Sequence, residues 1–162
     1  MTYTDFLSRA EKMAAGLLSL DYKFKKNARI GVFAPNLADY YVAQMACALA
    51  DLVLVNINPA YRAMELKYAL NKVECEALLM VSSLKKSDYD EMLYTIAPEI
   101  ASCEPEQLNS KELPYLKYVI KMDNNLKHKT QFSMDDLLSK SSAEAIEKLR
   151  SGEKKIKPED VA

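Results

Sequence analysis

Hydrophobic residues in this chain fall into short β-branched runs that alternate with longer stretches of helical spacing. Near the N-terminus, Phe6, Ala10, Met13 and Leu17 recur at the three- and four-residue intervals of one helix face. Strands that alternate with helices predict an α/β fold, with a mostly parallel sheet and helices on both faces. The predicted strands are Arg29–Ala34, Leu52–Ile57, Ala77–Val81 and Tyr118–Met122, and the predicted helices are Thr2–Leu20, Leu37–Ala50, Arg62–Val73, a helix from Ser87 to the residue before Pro98, a short helix from Ser133, and Ala143–Leu149.

The stretch from Pro35 to Tyr61 is central to this pattern. It contains, in order, a predicted helix cap, a helix, a turn, a strand and an exit loop. Asn36 is the predicted N-cap, since the preceding proline prevents a helix from arriving there. The helix has almost no polar residue, which predicts burial on nearly all sides, and the strand LVLVNI is typical of a parallel strand covered on both faces. A membrane span is disfavoured, because Asp51 would lie within the hydrocarbon at a cost of about 2.5–3.5 kcal/mol.

Composition narrows the range of functions. A chain of 162 residues suits one domain or a large piece of one, and its net charge of −1 favours neither nucleic acid nor an anionic membrane as a partner. Three glycines are few for an enzyme that needs phosphate loops or mobile lids. Cys47, Cys75 and Cys103 are widely spaced and odd in number, which predicts reduced, buried thiols of an intracellular protein. The N-terminus does not show the pattern of a targeting leader.

Titratable residues give no strong catalytic pattern. His128, the only histidine, lies between two lysines, so a solvated turn histidine is favoured over a triad member or a metal ligand. Carboxylates cluster at two predicted helix starts, where they complement the helix dipole, and a catalytic acid pair is the less favoured alternative. These carboxylates are Asp88, Asp90, Glu91, Asp135 and Asp136.

Turns that follow strands are the other places where a ligand could bind. The pair Ser82-Ser83 follows a predicted strand, but it has no glycine neighbour and no matching base. After the first strand, Ala34-Pro35-Asn36 stands where a dinucleotide-binding fold carries its glycine-rich phosphate turn. A nicotinamide or flavin cofactor at this turn is therefore disfavoured.

Two further groups of residues favour structural interpretations. A lysine cluster could contact phosphate, although a solvated turn is favoured for Lys23, Lys25 and Lys26. Because no basic patch lies among them, the aromatic residues Tyr40, Tyr41 and Tyr61 are predicted to be core and rim side chains rather than stacking platforms.

Several segments resemble the adenylate-forming enzymes, the superfamily of acyl-CoA synthetases and luciferases. Thr2-Tyr3-x-Asp5-Phe6 is similar to the motif Leu-Thr-Tyr-x-Glu-Leu, and ALADLVLVNINPAY is similar to Leu-Lys-Ala-Gly-x-x-x-x-Pro-Leu. RIGVFAPN lies between these two segments and ELKYALNK follows them, in the family's order, and CEPEQLNSKELPYLKYVIKMD resembles the mitochondrial medium-chain acyl-CoA synthetase branch. The resemblance covers essentially the whole chain and implies part of the N-terminal subdomain of an AMP-binding large domain.

The chain also departs from the family pattern. Asp51 stands where the family usually has glycine at a helix end, so that cap is expected to adopt another geometry or to be strained. Lys26-Asn27 replaces a Gly-Asp pair before the first strand. The segment Lys157–Ala162 resembles the one that precedes the phosphate loop, Thr-Ser-Gly-Thr-Thr-Gly-x-Pro-Lys-Gly. We therefore expect residues 1–162 to be a partial domain that ends just before this loop.

No catalytic, cofactor-binding or metal-binding residue of the family maps onto this chain. The resemblance implies a parent enzyme, meaning a longer ligase that includes such a chain, in which ATP activates a fatty acid as an acyl-adenylate and CoA displaces AMP. The acid is expected to be medium-chain. ATP, Mg²⁺ and CoA would be bound by the parent, in the mitochondrial matrix, and this chain alone is expected to be an inactive scaffold with exposed apolar surface and possible self-association.

Two alternatives stay open at this point. One is a non-catalytic interaction module that pairs with a full-length ligase or another partner, motivated by the apolar helix. The other, disfavoured by the absent glycine loop, is an unrelated nucleotide-binding α/β protein.

Overall fold

A computed structural model describes residues 1–20, 24–104, 107–128 and 130–151. Lys23 of the lysine cluster and the segment that resembles the approach to the phosphate loop lie outside these residues. The strands are β1 (Arg29–Phe33), β2 (Val53–Asn56), β3 (Ala77–Met80), β4 (Ser83–Leu84), β5 (Ser87–Asp88), β6 (Tyr118–Lys121) and β7 (Gln131–Ser133). The helices are α1 (Tyr3–Leu18), α2 (Ala38–Leu49), α3 (Ala63–Lys72), α4 (Tyr89–Ile96), α5 (Met134–Ser139) and α6 (Ala143–Arg150), with a 3₁₀ turn at Pro98–Ala101.

One parallel sheet holds five of these strands in the order β2-β1-β3-β6-β7, and β4 and β5 form a separate antiparallel hairpin. The connection through α2 runs from β1 to its neighbour on one side, whereas α3 and α4 lead to strands on the other side. Because parallel crossovers are right-handed, α2 lies on the opposite face of the sheet from α3 and α4. The α/β fold predicted from the sequence is therefore confirmed.

The core lies between the central strands and the helices packed on them. Every residue of β3 and β6 is buried, and on one face α1 packs against α2, α5 and α6. Gly16 permits the close approach of α1 to α5, since a Cβ atom built at this glycine would lie 2.2 Å from the carbonyl oxygen of Leu137. Within the described ranges, no helix has the length and apolar character needed to cross a bilayer.

Capping explains where several helices begin. Thr2 forms the predicted capping box with Asp5 at the start of α1, and Ser133 forms one with Asp136 at the start of α5. The prediction for α2 is wrong, because Leu37 occupies the N-cap position and supplies no side-chain hydrogen bond. At α4 the cap is Asp88, whose carboxylate accepts a 3.0 Å hydrogen bond from the N–H of Glu91.

The end of α2 keeps the backbone geometry of a glycine cap although it carries an aspartate. Asp51 has a φ angle of 59°, and the N–H of Leu52 donates to the carbonyl oxygen of Cys47 at 2.9 Å, as in a Schellman motif. A side chain at this left-handed position is strained relative to glycine. The structure therefore shows a strained cap at Asp51 rather than a cap of another geometry.

Burial of the α2–β2 unit is less complete than predicted. The side chains of Tyr41 and Met45 on α2 are 55% and 40% exposed. The strand β2 is half-buried rather than covered on both faces, because among the described strands it lies at the end of the sheet order and pairs with β1 alone. The predicted all-round burial is therefore wrong for one side of this unit, and that side is apolar.

Candidate functional site at the carboxyl edge of the sheet

The candidate site lies at the carboxyl ends of β1 and β3, where the connections leave toward opposite faces. In open α/β sheets this divergence creates the crevice in which ligands usually bind. Here the turn after β1 is Ala34-Pro35-Asn36, Ser82 lies close behind β3, and Asp123 lies close behind β6. These turns bring polar groups of three adjacent strands to one edge.

Ser82 is already paired with the neighbouring turn. Its N–H donates to Oδ2 of Asp123 at 2.7 Å, and its hydroxyl donates to the carbonyl oxygen of Asn125 at 3.3 Å. Desolvation raises the pKa of Asp123, but hydrogen bonds, led by those of Ser82, and the nearby charge of Lys121 together leave this pKa below its ordinary value. The N–H that could have met a phosphate oxygen is therefore occupied by a carboxylate of the chain itself.

A buried ion pair lies beside these turns. Asp90 at the start of α4 is 1% exposed and Lys121 at the end of β6 is fully buried. The ammonium group of Lys121 donates to both carboxylate oxygens of Asp90, at 2.7 and 2.8 Å. The amide of Gln131 donates to Oδ1 of the same carboxylate at 2.7 Å. Three elements, α4, β6 and β7, are thus tied together at one carboxylate.

The loop before β7 closes over this pair. The side-chain oxygen of Gln131 accepts hydrogen bonds from the N–H groups of Lys127 and His128, at 2.8 and 3.1 Å. The ammonium group of Lys127 donates to Asp88 at 2.8 Å, and this hydrogen bond lowers the pKa of Asp88 and raises that of Lys127. His128 is half-buried and stacks on Tyr94 with ring centroids 5.7 Å apart, so it is less solvated than predicted.

Aromatic side chains fix the exit loop of β2 to the same edge. The buried hydroxyl of Tyr89 donates to the carbonyl oxygen of Pro59 at 2.6 Å, and its ring stacks on Phe33 with centroids 4.0 Å apart. Burial raises the pKa of Tyr89. Tyr40 donates to Asn56 at 2.7 Å, and Tyr61 is half-buried at the rim. These contacts are structural.

The remaining candidates lie apart from this edge or serve the fold. Asp136 is engaged in its capping box, and Asp135 accepts a 2.9 Å hydrogen bond from Asn124. Cys47 and Cys75 are buried, and desolvation raises the pKa of each thiol to about 12, which removes them as nucleophiles near neutral pH. Cys103 is only half-buried, so the prediction of burial is wrong for this thiol.

The buried pair is not apparent from the sequence, because Asp90 lies among carboxylates that all suit a helix start. Asp88 does cap α4, but Asp90 points into the interior, where β6 packs against the helix start. The signal that could have found it is Lys121, a lone cation in the apolar run YVIKM. A lysine in a strand buried on both faces requires a carboxylate partner.

The polar side chains described at this edge bond to one another or to the backbone, as in a network that supports the fold. The carboxylates of Asp90 and Asp123 bond to donors from this chain, and the turn after β1 contains a proline. Among the described residues, no group of three or more His, Cys, Asp or Glu side chains could hold a metal ion. The described part of this edge therefore offers neither a row of free N–H groups for a phosphate nor a ready set of metal ligands.

The fold and the crevice define an open, mostly parallel α/β domain. The model of the family described as AMP-binding enzyme matches residues 1–162, so this chain belongs to that family. The medium-chain acyl-CoA ligase ACSF2, mitochondrial, of Bos taurus is 40% identical over 126 residues, which cover 78% of this chain and 20% of the relative. The protein of the same name from Danio rerio is 33% identical over 159 residues, covering 98% and 26%.

The fold is also that of solved ligases. The Mycobacterium tuberculosis fatty acyl CoA synthetase superposes with a TM-score of 0.65 at 17% identity, over 88% of this chain and 23% of that one. The predicted resemblance to acyl-CoA synthetases is confirmed. This chain spans about a fifth to a quarter of the length of the relatives it matches.

Proposed function

We propose that this chain is scaffold, the first part of the AMP-binding domain of an ATP-dependent fatty-acid–CoA ligase. The parent reaction converts a fatty acid, ATP and CoA to acyl-CoA, AMP and pyrophosphate, with a medium-chain acid as the substrate class. The names of the similar relatives support this substrate class and a mitochondrial location for the parent. The observation that carries the scaffold role is the carboxyl edge, whose charged side chains at Asp90, Lys121 and Asp123 are engaged with one another or with the backbone.

The described residues of the carboxyl edge fit ATP and Mg²⁺ poorly, and none of them is assigned to CoA. A triphosphate needs free N–H groups or cations, but the N–H of Ser82 meets a carboxylate and Lys121 is buried against Asp90. Mg²⁺ needs exposed carboxylates that converge, and the described chain has no such group. We therefore assign all three ligands to the parent enzyme and no catalytic, cofactor-binding or metal-binding residue to this chain.

A direct assay tests the scaffold role. Purified chain incubated with octanoate, ATP, Mg²⁺ and CoA is expected to form no octanoyl-CoA and to release no pyrophosphate. The full-length Bos taurus relative, assayed in parallel, is the positive control. Turnover by the purified chain at a rate comparable with the relative would overturn the scaffold role.

A chimera tests the parent reaction separately. The matched segment of the Danio rerio relative is replaced by the corresponding 159 residues of this chain. If the chain is a ligase scaffold, the chimera should form octanoyl-CoA, and the relative with the segment deleted should not. A chimera that folds, by circular dichroism, yet forms no acyl-adenylate would contradict the assignment to this reaction.

A second candidate is a non-catalytic interaction module that pairs with a full-length ligase or another partner. The observation that favours it is the exposed apolar surface on both sides of β2, with Tyr41 and Met45 of α2 on one face of the sheet and Met64 and Tyr68 of α3 on the other. Binding of a hydrophobic dye, with light scattering to give the mass, tests it. A monomer that binds no dye would count against this candidate.

A further inference from the structure

The outer edge of β2 is an open edge of the described sheet. The N–H of Val53 donates to the carbonyl oxygen of Ala28 and that of Ile57 donates to Val32, both at 3.0 Å. Because backbone groups alternate along a strand, the N–H and C=O of Leu54 and Asn56 face away from β1. Among the described residues, β2 pairs only with β1, so these groups point outward from the sheet.

Apolar side chains flank this edge on both faces. On the α2 face a groove of about 480 Å³ borders Tyr41 and Met45, and on the α3 face one of about 470 Å³ borders Met64 and Tyr68. The last two side chains are 72% and 67% exposed. Natural edge strands are normally protected by lysine, proline or a bulge, and β2 itself has none of these. An apolar surface around an open edge is typical of an interface.

The charges beside the edge identify the occupant. On α3, Glu65 and Lys72 are both exposed and line the same groove, seven residues apart, which is about 10 Å along a helix axis. A negative charge therefore lies at one end of the exposed face of α3 and a positive charge at the other end, with Tyr68 between them. A second copy of α3 running antiparallel would bring its Lys72 to Glu65 and its Glu65 to Lys72. The surface is thus complementary to itself about a two-fold axis.

We propose that two copies of this chain pair through antiparallel β2 strands, about a two-fold axis normal to the sheet. The outward N–H and C=O groups of Leu54 and Asn56 bond to the partner's strand, which extends the five-stranded sheet to ten strands. The two α3 helices lie on one face and the two α2 helices on the other, so that each groove receives the aromatic and methionine side chains of the second copy. The proposal does not depend on the ligase assignment, and the two are tested by different assays.

The expected dimer is of moderate strength. Tyr41 and Tyr68 together leave roughly 250 Å² of aromatic surface exposed, taking about 200 Å² for a whole tyrosine side chain. The methionines and the strand add to this, but a standard interface buries about 800 Å² per partner. We therefore expect a reversible equilibrium between monomer and dimer in the micromolar range.

Sedimentation velocity of the purified chain, from low to high micromolar concentration, measures this equilibrium. The wild-type chain should shift from monomer to dimer with concentration, and Tyr68→Lys should weaken dimerisation by about tenfold or more. Tyr115→Lys is the matched control, since Tyr115 is also an exposed tyrosine but does not line either groove. A wild-type monomer at all concentrations, open-ended aggregates, or equal dimerisation of Tyr68→Lys and wild type would each overturn the proposal.

A charge swap tests the antiparallel arrangement itself. Glu65→Lys and Lys72→Glu should each dimerise poorly alone, because each places like charges at both ends of the interface. An equimolar mixture of the two variants should recover dimer as a heterodimer, in which both contacts are again of opposite charge. Loss of the hydrogen bond that Glu65 makes to the N–H of Arg62 cannot explain recovery on mixing. No recovery on mixing folded variants would overturn the antiparallel pairing.

Discussion

Breaking the ion pair of Asp90 and Lys121 should give one of the largest stability losses available in this chain. In Lys121→Met, Asp90 would keep the 2.7 Å hydrogen bond from Gln131 and have Lys127 3.7 Å away, but it would lose both hydrogen bonds to Lys121. Removing one partner of a buried pair costs about 3–5 kcal/mol, because the other charge is left without compensation. That loss is a large part of the 5–15 kcal/mol typical of a whole domain.

A double-mutant cycle separates the pair from its parts. Asp90→Asn preserves shape but leaves the ammonium group of Lys121 buried against a neutral amide, so it should also cost several kcal/mol. In the double variant neither charge remains, and the total loss should be smaller than the sum of the single losses by roughly 1–3 kcal/mol. Urea unfolding followed by circular dichroism gives the free energy of unfolding for all four proteins.

The matched control is the exposed pair of Lys67 and Glu112, whose side chains are 30% and 45% exposed. Lys67→Met makes the same chemical change at the surface and should cost about 0–1 kcal/mol. If Lys121→Met cost no more than Lys67→Met, or if the cycle were additive, the reasoning that Asp90 depends on Lys121 for charge compensation would be wrong.

Three further predictions concern the core, the thiols and acid stability. Gly16→Ala should lose about 1–3 kcal/mol in urea unfolding, because its methyl group meets a backbone carbonyl of Leu137 that cannot rotate away; an unchanged unfolding midpoint would contradict this. Cys47 and Cys75, with pKa values raised to about 12, should stay unmodified by a thiol reagent at pH 8 in the native chain and react in denaturant, as counted by mass spectrometry. Hydrogen bonds from Ser133, the N-cap of α5, lower the pKa of Asp136 in the folded chain. The contribution of the Asp136 carboxylate to stability is therefore complete above the unfolded pKa of 3.8, and it is lost as the pH falls through the lower folded pKa. Asp136→Asn should therefore flatten the acid limb of the curve of stability against pH, and an unchanged limb would argue against this carboxylate.

Features set by short-range interactions were predictable from the sequence. The capping boxes of Thr2 and Ser133 need only a hydroxyl and a carboxylate three residues apart, and both are present. The strands β1, β3 and β6 are predictable because each contains a short, mostly apolar run, which is typical of a buried parallel strand. For these elements local pattern and tertiary environment agree.

Features set by the neighbours of an element were not predictable. Gln131–Ser133 has no apolar run, and it becomes β7 only because β6 offers a free edge and Gln131 meets Asp90. The strand β2 is apolar apart from Asn56, but its position at the end of the sheet leaves it half-buried, whereas β3 is fully buried. The order of the strands in the sheet depends on the face that each connecting helix crosses. No short stretch of the sequence determines that choice.

The carboxyl edge of the described sheet and the outer edge of β2 differ in whether their polar groups are bonded within the chain. At the carboxyl edge, Asp90 and Asp123 are bonded to groups of this chain, so that reactive groups would have to come from elsewhere in a ligase. At the outer edge, Leu54 and Asn56 direct backbone groups outward between apolar flanks, so association there needs no rearrangement of the fold. The carboxyl edge thus fits the proposed scaffold role, and the outer edge fits the proposed pairing of two copies through β2.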